Sequence, residues 1–395
     1  MKPLVYSVLP RPPHPSRDGL AIRNYHLLAA LAERFEVRAF SLLDPERAYG
    51  RGEAPEGVAV EFVPQRARGA RRPAAVLASL ATGEPYSAIL YRSRRLARRL
   101  ADACAARRPD WIVAHAYHVA PAAAAAGAPV WIDFHNLDSR IWERMGETAS
   151  SAARRRFARG QAPRVRRLER TLLRHAGGVS CVSSGDAASL AELGAAGALV
   201  VPNGVDLARY AFRGAPSREE TILFVGDLSW PPNAEGVRWF AERVWPLVRA
   251  RRPRARAEIL GRGAPADLSR LARPDFVLLG EGDDTRPHWA RTAVAVVPLR
   301  AGGGTRLKIL EAAACGVPVV STRIGAEGLD FSSAELSVHD EPEAFAAAVA
   351  ALLENPEAAR RQATAARARV EAAYGWDRIG AAFAEALRRR AEPHG

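Results

Sequence analysis

The strongest constraint on the fold is an alternation of short β-branched runs with longer Ala-, Leu- and Arg-rich stretches, which occurs twice along the chain. In the first half, the predicted strands are 3–8, 36–42, 58–63, 111–114, 129–134 and 177–182. In the second half, they are 221–226, 255–260, 275–280, 293–298 and 317–321. Helical periodicity lies between many of these runs. Such alternation predicts parallel sheets with helices on both faces. We therefore expect an α/β protein with two Rossmann-like domains.

The domain boundary is expected where Val200 and Val201 run into Pro202-Asn203-Gly204, because Pro and Asn-Gly punctuate regular structure. This assigns residues 1–200 to an N-terminal domain and 201–375 to a C-terminal domain. The last helix, at about 376–395, is expected to pack back on the N-terminal domain. A length of 395 residues agrees with two or three domains.

The charge of the chain is uneven. The net charge is +14, and residues 1–200 carry +12 of it, with 30 basic and 18 acidic side chains. An excess of this kind suggests nucleic acid, an anionic membrane surface or an anionic small molecule as partner. No nucleic-acid-binding motif accompanies the charge, so nucleic acid is not expected. Basic helices with an apolar face dock on anionic lipid, and the stretches 66–72, 92–108 and 154–174 fit that pattern. A solvated Arg-rich surface is the alternative.

Location is inferred from what the chain lacks. Its three cysteines are widely spaced and odd in number, which favours free thiols in a reducing compartment. No run of about 18 apolar residues predicts a membrane-spanning helix, and the N-terminus has no signal-peptide pattern. We expect a cytoplasmic protein, at most peripheral on the inner face of a membrane.

The segment with the clearest chemistry is 296–311. A buried strand ends there, Gly302, Gly303 and Gly304 follow, and a helix begins. Backbone N–H groups at such a helix end cradle phosphates beyond the carboxyl ends of parallel strands. Thr305 is a candidate helix cap, and Arg306 adds positive charge and a fork of donors.

Lys308 and Glu311 follow on the same helix, three residues apart on one face. Lys308 is one of only two lysines among 57 basic residues. The plain interpretation of the pair is an intrahelical ion pair. Its position beside the glycine loop favours a role in ligand binding.

These motifs resemble those of the family 4 retaining glycosyltransferases of GT-B fold. Segments 311–320, 222–228, 201–206 and 324–329 carry the resemblance, and a subgroup with a GGGTRLKILE-type loop and Trp-Pro-Pro-Asn is similar. The resemblance implies two Rossmann-like domains with parallel sheets facing an interdomain cleft. The C-terminal domain then binds a nucleoside-diphosphate sugar, and the N-terminal domain binds the acceptor.

The resemblance assigns roles residue by residue. Glu311 matches the family's second motif Glu, which holds the donor ribose, whereas the first motif Glu falls at Gly303. The family's Arg and Lys after the first strand of the C-terminal domain are replaced by Asp227 and Asn233. Neutralisation of the diphosphate is therefore assigned to Arg306 and Lys308.

Other site residues come from further matches to the family. His135, after strand 129–134, corresponds to the His that contacts the transferred sugar. Gly19 lies in the first loop, which approaches the donor phosphate and the acceptor, while Asn203 and Gly226 belong to donor-binding motifs. For Asp18, a helix N-cap is the better interpretation.

The sequence therefore predicts a retaining glycosyltransferase that moves a sugar from a nucleoside-diphosphate sugar to a glycan or lipid-linked acceptor. Polysaccharide or glycolipid synthesis is the expected setting. No Asp-x-Asp occurs, and His115 with His118 does not make a metal site, so neither metal nor cofactor is expected. A nucleotide-sugar epimerase of the same fold and a non-catalytic partner protein are the alternatives. The sugar, base, acceptor, linkage and oligomeric state are not determined by the sequence.

Overall fold

The computed structural model describes residues 2–16, 18–45, 50–148, 151–214, 217, 219–282, 284–302 and 306–391. The chain divides into two compact units. Unit 1 is Met1–Pro202 with Asp377–Gly395, and unit 2 is Asn203–Trp376. The sequence placed these divisions at 200/201 and 375/376.

Unit 1 is built on a seven-stranded sheet in which every paired strand is parallel. Its order is β3-β2-β1-β4-β5-β6-β7. The strands are β1 (Leu4–Leu9), β2 (Glu36–Leu43), β3 (Val58–Pro64), β4 (Trp111–His115), β5 (Val130–Phe134), β6 (Gly178–Cys181) and β7 (Leu199–Val200). Every residue of β1, β4 and β5 is buried, as expected for strands covered on both faces.

Helices connect these strands and cover the sheet. They are α1 (Gly19–Arg34), α2 (Arg68–Thr82), α3 (Tyr86–Tyr91), α4 (Arg94–Ala106), α5 (Ala120–Ala124), α6 (Asp138–Thr148), α7 (Ala152–His175) and α8 (Ser184–Glu192). Helix α1 begins as predicted, because the Asp18 side chain accepts a hydrogen bond from the Ala21 amide at 3.1 Å.

Unit 2 has a six-stranded parallel sheet of order β10-β9-β8-β11-β12-β13. Its strands are β8 (Thr221–Val225), β9 (Arg256–Leu260), β10 (Phe276–Gly280), β11 (Val294–Val297), β12 (Val319–Ser321) and β13 (Ser337–Val338). Its helices are α9 (Pro231–Trp239), which continues through a π-helical turn (Phe240–Val244) into α10 (Trp245–Arg251), then α11 (Ala266–Ser269), α12 (Arg286–Arg291), α13 (Leu307–Cys315), α14 (Arg323–Ala326), α15 (Pro342–Glu354) and α16 (Pro356–Ala373).

The predicted fold class is confirmed: two Rossmann-like domains, each with a parallel sheet. All eleven strands expected from the sequence are present. Two further strands occur among the described residues: β7 lies at the boundary run before Pro202, where the sequence also indicates a strand, and β13, with two residues, is too short to show a strand pattern.

The last helix, α17 (Trp376–Ala391), packs on unit 1. The ring of Phe383 lies edge-on to Trp131, with centroids 5.9 Å apart. Gly380 sits so close to α1 that a Cβ atom there would lie 2.4 Å from the Cβ of Ala30. Any larger residue at position 380 would therefore push α17 off the helix beneath it.

The three cysteines, Cys104, Cys181 and Cys315, are free thiols, as predicted, and burial raises the pKa of Cys181 to about 12. In the part of the chain that the structure describes, no helix has the length and apolar character needed to cross a bilayer.

Each sheet has one place where the strand order reverses. In unit 1, this point lies between β1 and β4, and in unit 2 between β8 and β11. Loops on either side of such a point run in opposite directions and leave a crevice beyond the carboxyl ends of the strands. Gly226, after β8, and Gly302, after β11, flank the crevice of unit 2.

Candidate active site

Two glycines line the crevice of unit 2, where side chains at the same positions would collide with neighbouring residues. Gly226 follows β8, and a Cβ atom at this position would lie 2.6 Å from Nζ of Lys308 and 2.9 Å from Nδ2 of Asn233. Gly302, after β11, has φ of +119°, a conformation that favours glycine. Glycine at both positions therefore lets backbone and cationic side chains come together. Gly303, Gly304 and Thr305 lie outside the described residues.

Lys308 lies within this crevice, and its direct contacts are neutral groups. Its ammonium group donates to the Asn233 side-chain oxygen at 3.1 Å and lies 4.0 Å from the centroid of the Phe224 ring. Burial, helped by the nearby Arg306 charge, lowers the pKa of Lys308 to about 7. The amine is therefore poised between its charged and neutral forms at neutral pH.

Arg306 adds a second cation beside Lys308. It precedes α13 and is only 5% exposed. Its Nη2 lies 3.5 Å from the carbonyl oxygen of Ile324, in the segment 324–329 that carries part of the family resemblance. A Cβ atom on Gly302 would lie 3.1 Å from the same Nη2. Arg306 thus joins the glycine loop to the α14 segment.

Glu311, one turn further along α13, is held by three neutral side chains rather than by Lys308. Trp289 donates its indole N–H to Oε2 of Glu311 at 3.2 Å, and the Thr285 hydroxyl lies 3.4 Å from the same oxygen. Tyr210, also bonded to Glu311, is 3.1 Å from that hydroxyl. Burial raises the pKa of Glu311. An ion pair within the helix is therefore not what fixes these two residues.

Asp227 and Asn233, which replace the family's basic pair, are both engaged by cations from other segments. Arg262, after β9, donates to Oδ2 of Asp227 through Nε at 3.0 Å and Nη2 at 2.9 Å. Asn233 donates to the Asp227 carbonyl oxygen at 2.8 Å and accepts from Lys308. Positive charge is therefore restored at this place by residues distant in sequence.

The two remaining nucleotide-site predictions lie in different units. Asn203 is 8% exposed and belongs to unit 2, just after the boundary. Gly19 is the exposed first residue of α1 in unit 1. The assigned roles of both stay predictions.

His135 lies at the end of β5 in unit 1, beside a buried ion pair. Its Nε2 is 3.1 Å from Oδ2 of Asp133. Arg23, from α1, donates to both carboxylate oxygens of Asp133 at 2.8 Å, and both side chains are fully buried. Although burial opposes it, the Arg23 guanidinium holds the pKa of Asp133 well below its usual range. Burial lowers the pKa of His135, so this imidazole is neutral at pH 7.

The ion pair has further bonds on both sides. Ser180 donates to Oδ1 of Asp133 at 2.7 Å, and Arg23 donates to the carbonyl oxygen of Pro202 at 3.1 Å.

The backbone is strained at Ala116, which follows β4 with φ of +118°, a conformation that costs of order 1–3 kcal/mol. Backbone strain of this kind clusters at functional sites.

His115, Asp133 and His135 each offer a ligand atom, and these atoms lie within 4.8 Å of one another. The donor set nevertheless does not fit a metal ion. Both oxygens of Asp133 already accept from Arg23, whose positive charge would repel a divalent cation. We interpret this cluster as a polar network that fixes His135.

A second polar cluster follows β4 and β5. Nε2 of His118 lies 3.3 Å from Oδ2 of Asp138, and the ring of Tyr91 packs on His118 with centroids 4.4 Å apart. Asp138 is the first residue of α6. Such a cluster offers hydrogen-bonding groups and an aromatic face, the features that bind sugars.

Sequence reasoning missed Arg23 and Arg262 as site residues. Arg23 falls among the apolar residues of the α1 stripe, and an arginine on a face predicted to be buried is itself a signal of pairing. Arg262 stands between two glycines at the end of a strand. Neither pattern identifies the partner carboxylate.

Two family models match the chain, one for each unit. The model described as "Glycosyl transferase 4-like domain" matches residues 18–204. The model described as "Glycosyl transferases group 1" matches residues 219–355. The two matches lie on either side of the boundary between the units.

Relatives and solved structures agree with these models. A glycogen synthase of Mycobacterium tuberculosis is 32% identical over 203 residues, 47% of each chain, so the match spans about half of that relative. The structure of a sucrose-phosphate synthase from Thermosynechococcus elongatus has a TM-score of 0.75 and 17% identity, covering 98% of this chain and 99% of the other. HepE of Anabaena, in complex with UDP-glucose, has a TM-score of 0.67 and 14% identity over 98% and 100%.

The matched models, the two parallel sheets and the arrangement of strands agree with one another. The chain belongs to the glycosyltransferases of GT-B type, with a 4-like domain in unit 1 and a group 1 domain in unit 2.

Proposed function

We propose that the chain is a metal-independent retaining glycosyltransferase. It moves a sugar from a nucleoside-diphosphate sugar, bound by unit 2, to a glycan or lipid-linked acceptor, bound by unit 1. Synthesis of a polysaccharide or glycolipid is the proposed setting.

The observation that carries this proposal is that the buried ammonium group of Lys308 contacts neutral groups only. Among the described residues, no ion pair joins its ammonium group to a carboxylate. A buried amine with an amide and an aromatic ring as partners gains most from an anion that enters the crevice. Arg306 lies beside it, and the crevice has the position at which α/β sheets bind nucleotides. A diphosphate is the ligand that suits two cations and a glycine loop.

The chemistry follows from this placement. As the bond between the sugar carbon and the phosphate oxygen breaks, negative charge grows on the leaving diphosphate, and Arg306 and Lys308 stabilise it. The acceptor hydroxyl forms its bond on the same face of the sugar, as the family resemblance implies. Its proton passes to a donor phosphate oxygen, so no protein nucleophile is needed. The two cations supply the electrostatic role that a metal has in other transferases.

Unit 1 has groups for the sugar and the acceptor. We assign His135 to the transferred sugar and the cluster of His118 and Asp138 to acceptor hydroxyls. Glu311 is assigned to the donor ribose, as in the family. The UDP-glucose complex of HepE supports a nucleoside-diphosphate sugar as donor class.

The test is calorimetric titration with UDP, GDP, ADP and TDP and their common sugars, followed by product analysis with and without a glycan acceptor. We expect one base to bind tightly, Glu311→Ala to weaken binding at least tenfold, and the exposed Glu343→Ala on α15 to have no effect. Binding of no nucleotide, or transfer by Glu311→Ala at the rate of the unaltered protein, would refute the proposal. Conversion of the donor to an epimer without acceptor would identify the chain as an epimerase instead.

A further inference from the structure

The outward face of α2 is apolar, which is unusual for a helix on a protein surface. Leu77 is 68% exposed and Leu80 is 58% exposed, more than any other large apolar side chain of the described residues. The exposed positions follow helical spacing and form one stripe, which we call the α2 face: Ala70, Pro73, Ala74, Leu77, Leu80 and Ala81. A solvated helix normally presents polar residues on this side.

The opposite side of α2 is fixed to α7 by polar contacts. Ser79 is buried, and its hydroxyl accepts from Gln161 at 2.9 Å. Arg164 donates to the Ser79 carbonyl oxygen at 2.7 Å. Hydrogen bonds thus hold the inner face of the helix, while its leucines point outward. The arrangement is reversed relative to an ordinary amphipathic surface helix.

The stretches of sequence that form α2 and most of α7, the helix packed beneath it, are basic and lack acidic residues. The chain has no Asp or Glu between Glu61 and Glu84, nor between Glu147 and Glu169. These two stretches contain α2 and the first two thirds of α7. Exposed arginines lie just before α2, on α2 and on α7: Arg66, Arg72, Arg154, Arg156 and Arg159.

We propose that the α2 face docks on an anionic lipid bilayer. Leucines on a helix rimmed by arginines insert at the boundary between headgroups and acyl chains, while guanidinium groups bind lipid phosphates. Charge complementarity favours anionic lipid over a neutral one. The face is a single convex helix surface, which suits a fluid interface better than a groove-forming protein partner. The sequence indicated basic helices in general, whereas the structure assigns the contact to α2.

The proposal goes beyond the transfer reaction and does not depend on it. If unit 1 binds the acceptor, docking through α2 would bring that unit to lipid-linked substrates. Vesicle binding itself needs no substrate. Failure of one proposal can therefore be distinguished from failure of the other.

The experiment is flotation of the full chain with vesicles of phosphatidylcholine alone or with 30% phosphatidylglycerol, a mixing ratio chosen for the assay. We expect partition onto the anionic vesicles only, weakened at high salt because exposed charges are screened. L77S/L80S should lower the partition coefficient about tenfold, whereas L77F/L80F should preserve or raise it. R72Q/R156Q should also lower it, and the matched pair R254Q/R270Q, exposed arginines of unit 2, should not.

Thermal melts of each variant establish that it is folded before vesicles are added. Equal binding to neutral and anionic vesicles, or full binding by a folded L77S/L80S, would overturn the proposal. A protein that is dimeric and becomes monomeric in L77S/L80S, with no vesicle binding, would show instead that the α2 face binds a second copy of the chain.

Discussion

Each unit buries a cation near the carboxyl ends of its central strands, but the two cations are held in different ways. In unit 1, Arg23 makes a bidentate contact with Asp133, and neither side chain is exposed to solvent. In unit 2, Lys308 contacts the neutral amide of Asn233 and the ring of Phe224. The first cation is hydrogen-bonded to a carboxylate, whereas the direct contacts of the second are an amide and a ring, and the carboxylate that acts on it from a distance is that of Glu311.

The two arrangements suit the two cations to different roles. The low pKa of Asp133 shows that the pair in unit 1 is stabilised in its ionised form. The pKa of Lys308, about 7, shows that the protonated amine is costly in the unliganded crevice. A charge paired by direct hydrogen bonds maintains structure, while an ammonium group that contacts no carboxylate directly is available to an anionic ligand. Three substitutions and one titration test this contrast.

The largest effect is expected from Arg23→Met. The change leaves the Asp133 carboxylate buried without its cation, which costs about 3–5 kcal/mol of folding free energy. Scanning calorimetry should show unit 1 melting several degrees lower. Arg107→Met is the matched control, since Arg107 pairs with Glu36 with both side chains about half exposed, and it should change the melting far less. Equal effects of the two substitutions would show that Arg23 is not the stabilising cation of unit 1.

Lys308→Met is expected to have the opposite effect on stability. Removing an amine that is costly to protonate should leave the melting temperature of unit 2 unchanged or raise it. Binding of the nucleoside-diphosphate sugar should weaken about 10- to 100-fold, because a charge-assisted contact with the diphosphate is lost. Calorimetric titration measures the second effect. Arg300→Met, which changes an exposed arginine three residues after β11, is the control. A destabilised variant with unchanged affinity would make Lys308 a structural residue.

The pH dependence of binding gives a third test. With a pKa of about 7 in the free protein, Lys308 must take up a proton to bind an anion at higher pH. Affinity for a nucleoside-diphosphate sugar should fall about fivefold between pH 7 and 8, and Lys308→Met should remove this dependence. Between pH 7 and the ordinary pKa of 10.5, the unfolded chain binds more protons at this residue, so the contribution of Lys308 to stability should rise with pH. A flat affinity profile in the unaltered protein would contradict the assignment.

The sequence predicted the fold better than the site. The fold follows from local sequence patterns, whereas the site depends on contacts between residues that are far apart in the chain. Strands of β-branched residues and helices with apolar stripes are local patterns, and so is the Asp18 cap. The contacts that define the site are not local: 110 residues separate Arg23 from Asp133, and 75 separate Lys308 from Asn233. No sequence spacing predicts such partners, because the order of the strands in each parallel sheet brings them together. The family resemblance located His135 and Glu311 but not the side chains that fix them.

The smallest effect is expected from Asp227→Asn, which removes a counterion rather than a cation. Asp227 and Arg262 are each about a third exposed, so water screens their attraction and the loss in stability should stay below about 1 kcal/mol. Arg262 would then lose its nearer counterion and keep the more distant Glu281 carboxylate, 3.6 Å from its Nη1. Affinity for the nucleoside-diphosphate sugar should rise up to about threefold, and Arg262→Gln in the same background should cancel the gain.

A tenfold loss of affinity in Asp227→Asn would mean that the carboxylate itself contacts the donor, in the place where the family has a cation. The contrast between the two units would then fail at this residue, because Asp227 would be a ligand-binding group rather than the counterion of Arg262. A gain that Arg262→Gln cancels would instead extend the contrast. Arg262 would be a cation held, like Arg23, by a carboxylate, but weakly enough to be shared with a bound diphosphate.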